Sequence, residues 1–298
     1  MRPDFLIGGA ARCGTTLLCS VLDRHPEVKL SDPKEPHFLA YGKPGVEFLG
    51  PGDDKTMNAR AVTTEGRWRQ LFAGDAKLKG EGSVTTLYEY EESIPAIHRF
   101  CPEVRMVFLL REPVERAFSA FSYMKTRGYE PAATFEEALS LEAERRSGRW
   151  QHIWHYSRES RYSDSVAAFC ESFDSDQMLF VYYESLVAEP SRELKRVHDF
   201  LGLESTQESG ELGAVVNRSG RPKSATLTSL ARQVGDSPVR GLVRSVSSLR
   251  MREAVRRRLV SDIRVSDHER QLAMEMIGPA GNLPKVEDRP GWATSWFE

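Results

Sequence analysis

At 298 residues the chain is long enough to bury a substantial core, and its length fits one domain spanning residues 1–298. Charged residues make up 28% of it, yet the net charge is −2, so overall charge points to neither nucleic acid nor a membrane surface and any anion site must be local. No charged leader precedes an apolar stretch and no run of about 18 apolar residues occurs, so a soluble protein is expected.

The first apolar run, FLI at 5–7, reads as a buried strand. It leads into GGAARCGTT, after which Leu17, Leu18, Val21 and Leu22 share a helical face. Gly9 and Gly14 have the spacing of GxxxxGK[ST], but Thr15 and Thr16 stand where Lys and Ser/Thr belong. A nucleoside triphosphatase uses that lysine on the outer phosphates and the hydroxyl on magnesium. Here the loop's cation is Arg12, two residues before Gly14. Backbone N–H groups at the turn and the helix start still suit one phosphate; a plain structural turn is the competing reading.

Weaker strands near Val28 and Gly80 lie on either side of KEPHFL at 34–39, where Glu35 and His37 share one side of an extended segment. MVFLL at 106–110 repeats the opening layout: a strand, Arg111 at its carboxyl end, then a helix whose first turn takes Pro113. Ser119 follows on that helix, four residues after Glu115. A guanidinium with a nearby hydroxyl makes a second anion site, with charge-assisted bonds of about 1.5–3 kcal/mol each. Two anion sites on one sheet suggest a ligand with two separated phosphates.

RWQHIWHY at 149–156 sets His152 and His155 among Trp150, Trp154 and Tyr156. Such a mixture lines a pocket or packs a helix. MLFVYY at 178–183 is the last strong strand, followed after Pro190 by a helix with Leu194, Val197, Phe200 and Leu201 on one face. Neither strong strand after the first ends in a metal-binding Asp; they end in Arg111 and Glu184. Strands alternating with helices predict an α/β fold with a parallel sheet and ligands at the strands' carboxyl ends. In NRSGRPKS at 217–224, Arg218, Arg221 and Lys223 supply local charge in a glycine- and proline-containing loop.

From about Ala225 onward helical segments and no strand are expected, with a punctuated tail from Gly278 to Glu298. Seven arginines between Arg240 and Arg258, against Glu253 alone, form either a solvated helix face or a docking surface for an acidic substrate or carrier protein. The four cysteines, Cys13, Cys19, Cys101 and Cys170, have neither disulfide-scaffold density nor CxxC spacing. Reduced thiols in a cytoplasm are expected, and no metal site.

Taken in order, these segments resemble the PAPS-dependent sulfotransferases, heparan sulfate and bacterial members in particular. The similarity runs through the opening loop, KEPHFL, MVFLLREPVERAFSAF, SRYSDSVAAFCESF with LFVYYESLVAEPSRELKRVHDFLGL, and NRSGRPKSATL, covering roughly residues 4–230. The resemblance implies a three-layer, P-loop-like α/β fold with a central parallel sheet flanked by helices and a helical C-terminal part. It implies 3'-phosphoadenylyl sulfate (PAPS) as co-substrate and adenosine 3',5'-bisphosphate (PAP) as product. Gly14, Thr15 and Thr16, with Cys13 in the same loop, would hold the 5'-phosphosulfate together with Arg12. Arg111 and Ser119 would hold the 3'-phosphate, and Arg221 and Lys223 would reach phosphate from a flap over the nucleotide.

Related heparan sulfate enzymes use a glutamate from the KEPHF region as base, which implies that role for Glu35, with His37 orienting or replacing it. Lys34 would approach the sulfuryl oxygens. His152, Trp154 and His155 would meet the acceptor, while Ser83 and Tyr88 align loosely with another segment near the family's active site. Many members carry lysine at the position of Arg12 and others arginine; a planar, always-charged guanidinium stabilises a leaving oxygen but argues against proton donation. The expected activity is transfer of a sulfuryl group to a hydroxyl of a saccharide or secondary metabolite, free or carrier-bound. A metal-dependent P-loop kinase, disfavoured by the missing lysine, and a non-catalytic PAP-binding protein are the alternatives.

Overall fold

The structure, a computed structural model, describes residues 1–204, 220–222, 260–262 and 265–278, the two three-residue segments as backbone only. Five parallel strands form the central sheet: β1 (Phe5–Gly9), β2 (Val28–Leu30), β3 (Leu78–Glu81), β4 (Arg105–Leu110) and β5 (Met178–Tyr182). Their order is β2-β3-β1-β4-β5. β1 lies in the middle, with Phe5 level with Gly80 on one side and Arg105 on the other. Excursions after β1 go to one side of it and those after β4 to the other, which opens a crevice at the carboxyl ends of these two strands.

Helices flank the sheet: α1 (Thr15–Leu22), α2 (Phe38–Tyr41), α3 (Thr85–Tyr88), α4 (Tyr90–Phe100), α5 (Pro113–Thr126), α6 (Ser163–Ser172), α7 (Pro190–Leu201) and α8 (Asp267–Ile277). Sequence periodicity explains them. Leu17, Leu18 and Leu22 turn one face of α1 onto the sheet, and Leu194, Val197 and Leu201 do the same for α7. The central strand β1 reads as a continuous apolar run because both its faces are covered: every one of its residues is buried. Phe5 and Phe108 are fully buried, each burial being worth about 1.5–3 kcal/mol.

A second core packs α5 against the short helix Phe135–Ser140, Trp154, Tyr156, and Ala273 and Ile277 of α8. A capping box between Ser266 and Glu269 starts α8, and Arg270 ties it to α5 by ion pairs with Glu112, at 3.3 Å, and Glu115. The expected helical C-terminal part is thus present over 267–277. The short antiparallel pair 220–222 with 260–262 was not legible in the sequence. The Arg240–Arg258 stretch, Arg218 and Lys223 lie outside the described residues, as does the side chain of Arg221. Among the described residues, no helix is long and apolar enough to cross a membrane.

Candidate active site

The loop after β1 is shaped by two constraints. Gly9 has φ 116°, and a Cβ there would stand 2.1 Å from the Leu109 carbonyl oxygen, so the close approach of β1 and β4 requires glycine. Arg12 at φ 77° and Gly14 at φ 95° then turn the chain twice through the left-handed region. Glycine accepts that conformation readily, whereas arginine pays about 1–2 kcal/mol for it. Contacts of the Arg12 side chain offset the strain: Nε donates to Ser119 Oγ at 3.4 Å, and the guanidinium lies 4.5 Å from the Tyr123 ring centroid.

α1 opens at Thr15 without a side-chain cap. Its first N–H groups therefore have no intrahelical acceptor and face outward with the positive end of the helix dipole. Cys13 differs from its neighbours: its thiol is fully buried, burial pushes its pKa up to about 12, and its N–H turns back to the Ala10 carbonyl at 3.3 Å. Its side chain packs the core and does not face a ligand.

Arg111 emerges at the tip of β4. Nη1 donates to the Arg12 carbonyl at 3.3 Å, Nη2 lies 3.6 Å from Glu115, and the guanidinium sits 4.6 Å from the Tyr183 ring centroid. Its Nε is buried with no hydrogen-bond partner. An orphaned charged donor is a group that a phosphate oxygen would satisfy. Arg111 touches the Arg12 backbone carbonyl and Ser119 the Arg12 side chain, so the residues expected at the two anion sites are neighbours.

Arg12, Thr15 and Thr16 form one end of a cleft of about 680 Å³. Lys34, Glu35 and His37 line it from the segment before α2, Arg60 from the short helix Met57–Arg60, Tyr123 from α5 and Arg127 from just past its end, and His152 from the turn after Arg149. Lys34 Nζ bridges the loop and the carboxylate, 3.5 Å from Thr16 Oγ1 and 2.5 Å from Glu35 Oε1. Burial raises the Glu35 pKa, but Lys34 above all, by its charge and its hydrogen bond, outweighs it and holds the carboxyl below its ordinary value.

The expected extended geometry at His37 is corrected: the residue has φ 57° and starts α2. Ser83 fixes this turn, its Oγ accepting the His37 N–H at 3.0 Å, and Thr85 Oγ1 lies 2.9 Å from Nδ1. The ring still reaches Glu35, with Nε2 3.7 Å from Oε2. Burial, followed by the cations around it, brings His37 down to about 4, so it is neutral at ordinary pH.

The aromatic segment splits three ways. His152 lines the cleft. His155 is buried, lowered to about 3 by burial and then by His152, and its Nδ1 is hydrogen-bonded to the Tyr88 hydroxyl at 2.7 Å. Trp154 is corrected from acceptor contact to core: it is 0% exposed and donates its indole N–H to Asp53 at 3.1 Å. The sequence reading also missed Tyr123, Arg127 and Arg60. Ser119 and Tyr123 on α5 and Arg127 at its C-cap follow one another at four-residue spacing, so helical periodicity from Ser119 was the available signal for two of them. Among the described residues no cluster of His, Cys, Asp or Glu could hold a metal ion.

Residues 3–208 match the model of the Sulfotransferase family. This chain belongs to that family. It is 27% identical over 201 residues to heparan sulfate glucosamine 3-O-sulfotransferase 3B1 of Mus musculus, covering 67% of this chain and 46% of that one. It is 25% identical over 254 residues to carbohydrate sulfotransferase 15 of Homo sapiens, covering 70% and 45%. The chain thus spans about half the length of these curated relatives. A solved sulfotransferase from Alicyclobacillus acidocaldarius superimposes with a TM-score of 0.64 at 29% identity, over 72% of this chain and 90% of that one.

Proposed function

We propose that this sulfotransferase moves a sulfuryl group from PAPS to a hydroxyl of a saccharide or secondary metabolite. The observation that carries the reading is the position of Arg12, which lines the cleft and also touches Ser119. A cation there serves the end of the nucleotide from which the sulfuryl group departs, while Arg111 and Ser119 serve the 3'-phosphate.

When bound, PAPS supplies the activated sulfuryl group. The α1 N–H groups and Arg12 hold its 5' end and stabilise charge on the departing phosphate. Arg111, through its unpartnered Nε, and Ser119 hold the 3' end. Glu35, an ionised carboxylate at neutral pH, accepts the acceptor hydroxyl's proton, and neutral His37 orients it. Lys34, between Thr16 and Glu35, faces the sulfuryl oxygens.

Arg12, Lys34, Arg60, Arg127 and His152 line the cleft against Asp32 and Glu35. This excess of positive charge supports an acceptor that carries negative charge. The saccharide acceptors named for the relatives support a sugar hydroxyl. The four cysteines are unpaired, which supports a reducing, cytoplasmic setting.

The test is thermal unfolding with PAP, with ATP, and with ATP plus magnesium, followed by transfer of labelled sulfuryl from PAPS. PAP at a hundredfold its Kd should stabilise by about 2.7 kcal/mol. Stabilisation by ATP with magnesium alone would contradict the reading, and PAP binding without transfer to any hydroxyl acceptor would make the protein a PAP-binding module.

A further inference from the structure

Two fully buried charges grip the backbone just before Arg12. Glu159 Oε1 accepts the Ala11 N–H at 2.7 Å, and Arg116 Nη1 donates to the Ala11 carbonyl at 3.5 Å. The two charges pair at 3.2 Å with side chains 0% and 1% exposed. Arg116 is itself held by Ser160 Oγ and the Tyr156 carbonyl, both at 2.6 Å. The same Glu159 Oε1 lies 3.2 Å from His152 Nδ1, and His152 is on the cleft wall, its ring 6.4 Å from that of His37.

We propose that Glu159 is a positioning residue: a single carboxylate sets the anion-binding loop, through the Ala11 amide, in register with His152 on the acceptor side of the cleft. This rests on the sulfuryl-transfer reading above. A carboxylate suits the task because each oxygen accepts more than one hydrogen bond in different directions. Its burial beside Arg116 prevents it from swinging away, since either charge alone would be costly. A purely structural ion pair needs neither the loop amide nor a histidine of the cleft among its partners.

The arrangement also fixes the charge of His152. Glu35 and His37 face it from the segment before α2, Tyr88 and Glu89 from α3 and its end, and His155 from its own segment. Burial lowers its pKa, but Glu159 first, then Glu35 and Glu89, raise it above the ordinary value.

The test compares wild type with Glu159→Asp, which keeps Arg116 paired but withdraws the carboxylate, and Glu159→Gln, which removes the charge. PAP affinity is measured by calorimetry on the full chain. His152 is followed by ring-nitrogen NMR, its signal assigned by loss in His152→Gln. Variants that unfold cooperatively should bind PAP about tenfold more weakly, the scale of one charge-assisted hydrogen bond, and the His152 titration should move to lower pH. Folded variants that bind PAP within twofold of wild type, with the His152 signal unmoved, would overturn the proposal. If Glu159→Gln does not fold, Glu159→Asp decides by the same two readings. Failure of wild type to bind PAP would strike the proposed reaction and leave the NMR comparison intact.

Discussion

Arg12 Nε and Ser119 Oγ lie 3.4 Å apart across 107 residues of sequence. That contact joins the loop after β1 to the helix after β4. On the proposed reaction the two arginines do different work.

Arg12→Ala should lower turnover by about 10²–10³-fold, the scale of losing one group that stabilises developing charge, while PAP affinity changes far less. Arg111→Ala should weaken PAP by about 10- to 100-fold, as expected for charge-assisted bonds, with turnover at saturation largely kept. Steady-state kinetics with parallel PAP titrations separate these outcomes; equal losses in both quantities for both variants would contradict the division.

Glu35 is held ionised chiefly against burial by Lys34. The acid limb of turnover should therefore lie below the ordinary carboxylate range, and Lys34→Ala should move it to higher pH because the neighbouring positive charge is gone. Glu35→Gln should abolish that limb with turnover and leave PAP binding near wild type. A pH–rate profile that Lys34→Ala does not move would remove Glu35 from the role of base.

His37 and His155 have folded pKa values of about 4 and about 3, below the ordinary 6.5. Between those values and 6.5 the unfolded chain binds more protons, so stability is present above pH 6.5 and is lost as pH falls. At pH 5 each should cost about 2 kcal/mol. Urea midpoints at pH 7 and pH 5 measure the loss, and His155→Gln should shrink the difference by about half.

Glu130 pairs with Arg145 at 2.6 Å, with side chains 0% and 2% exposed, and also accepts the Tyr156 hydroxyl at 2.5 Å. Glu130→Ala should destabilise the protein by about 3–5 kcal/mol through the stranded guanidinium. PAP affinity of the folded variant should be unchanged, because this cluster is not on the cleft wall. Denaturant unfolding beside a PAP titration checks both halves.

The centre of the sheet was legible because β1 and β4 are apolar runs covered on both faces, whereas the segments VKL of β2 and LKGE of β3 gave a weaker signal; Arg111 after β4 marked a strand tip as clearly as the glycines marked the loop after β1. Positions that depend on the path of a connecting segment were not. The KEPHF segment names the chemistry of Glu35 and His37, but only Ser83 and Thr85, on another element, turn His37 left-handed. Trp154 and His152 are two residues apart and have similar surroundings in sequence, yet Asp53, about a hundred residues earlier, draws the indole into the core. Nothing in the sequence sets Arg116 and Glu159 apart from other charged residues; long-range pairing makes them a buried clamp.

The most direct test is a calorimetric comparison of PAP with adenosine 5'-monophosphate on wild type and Arg111→Ala. Two strand-tip sites holding opposite ends of one nucleotide predict that wild type prefers PAP by about 10- to 100-fold and that Arg111→Ala loses most of this preference. Equal affinity of wild type for the two nucleotides would contradict the account.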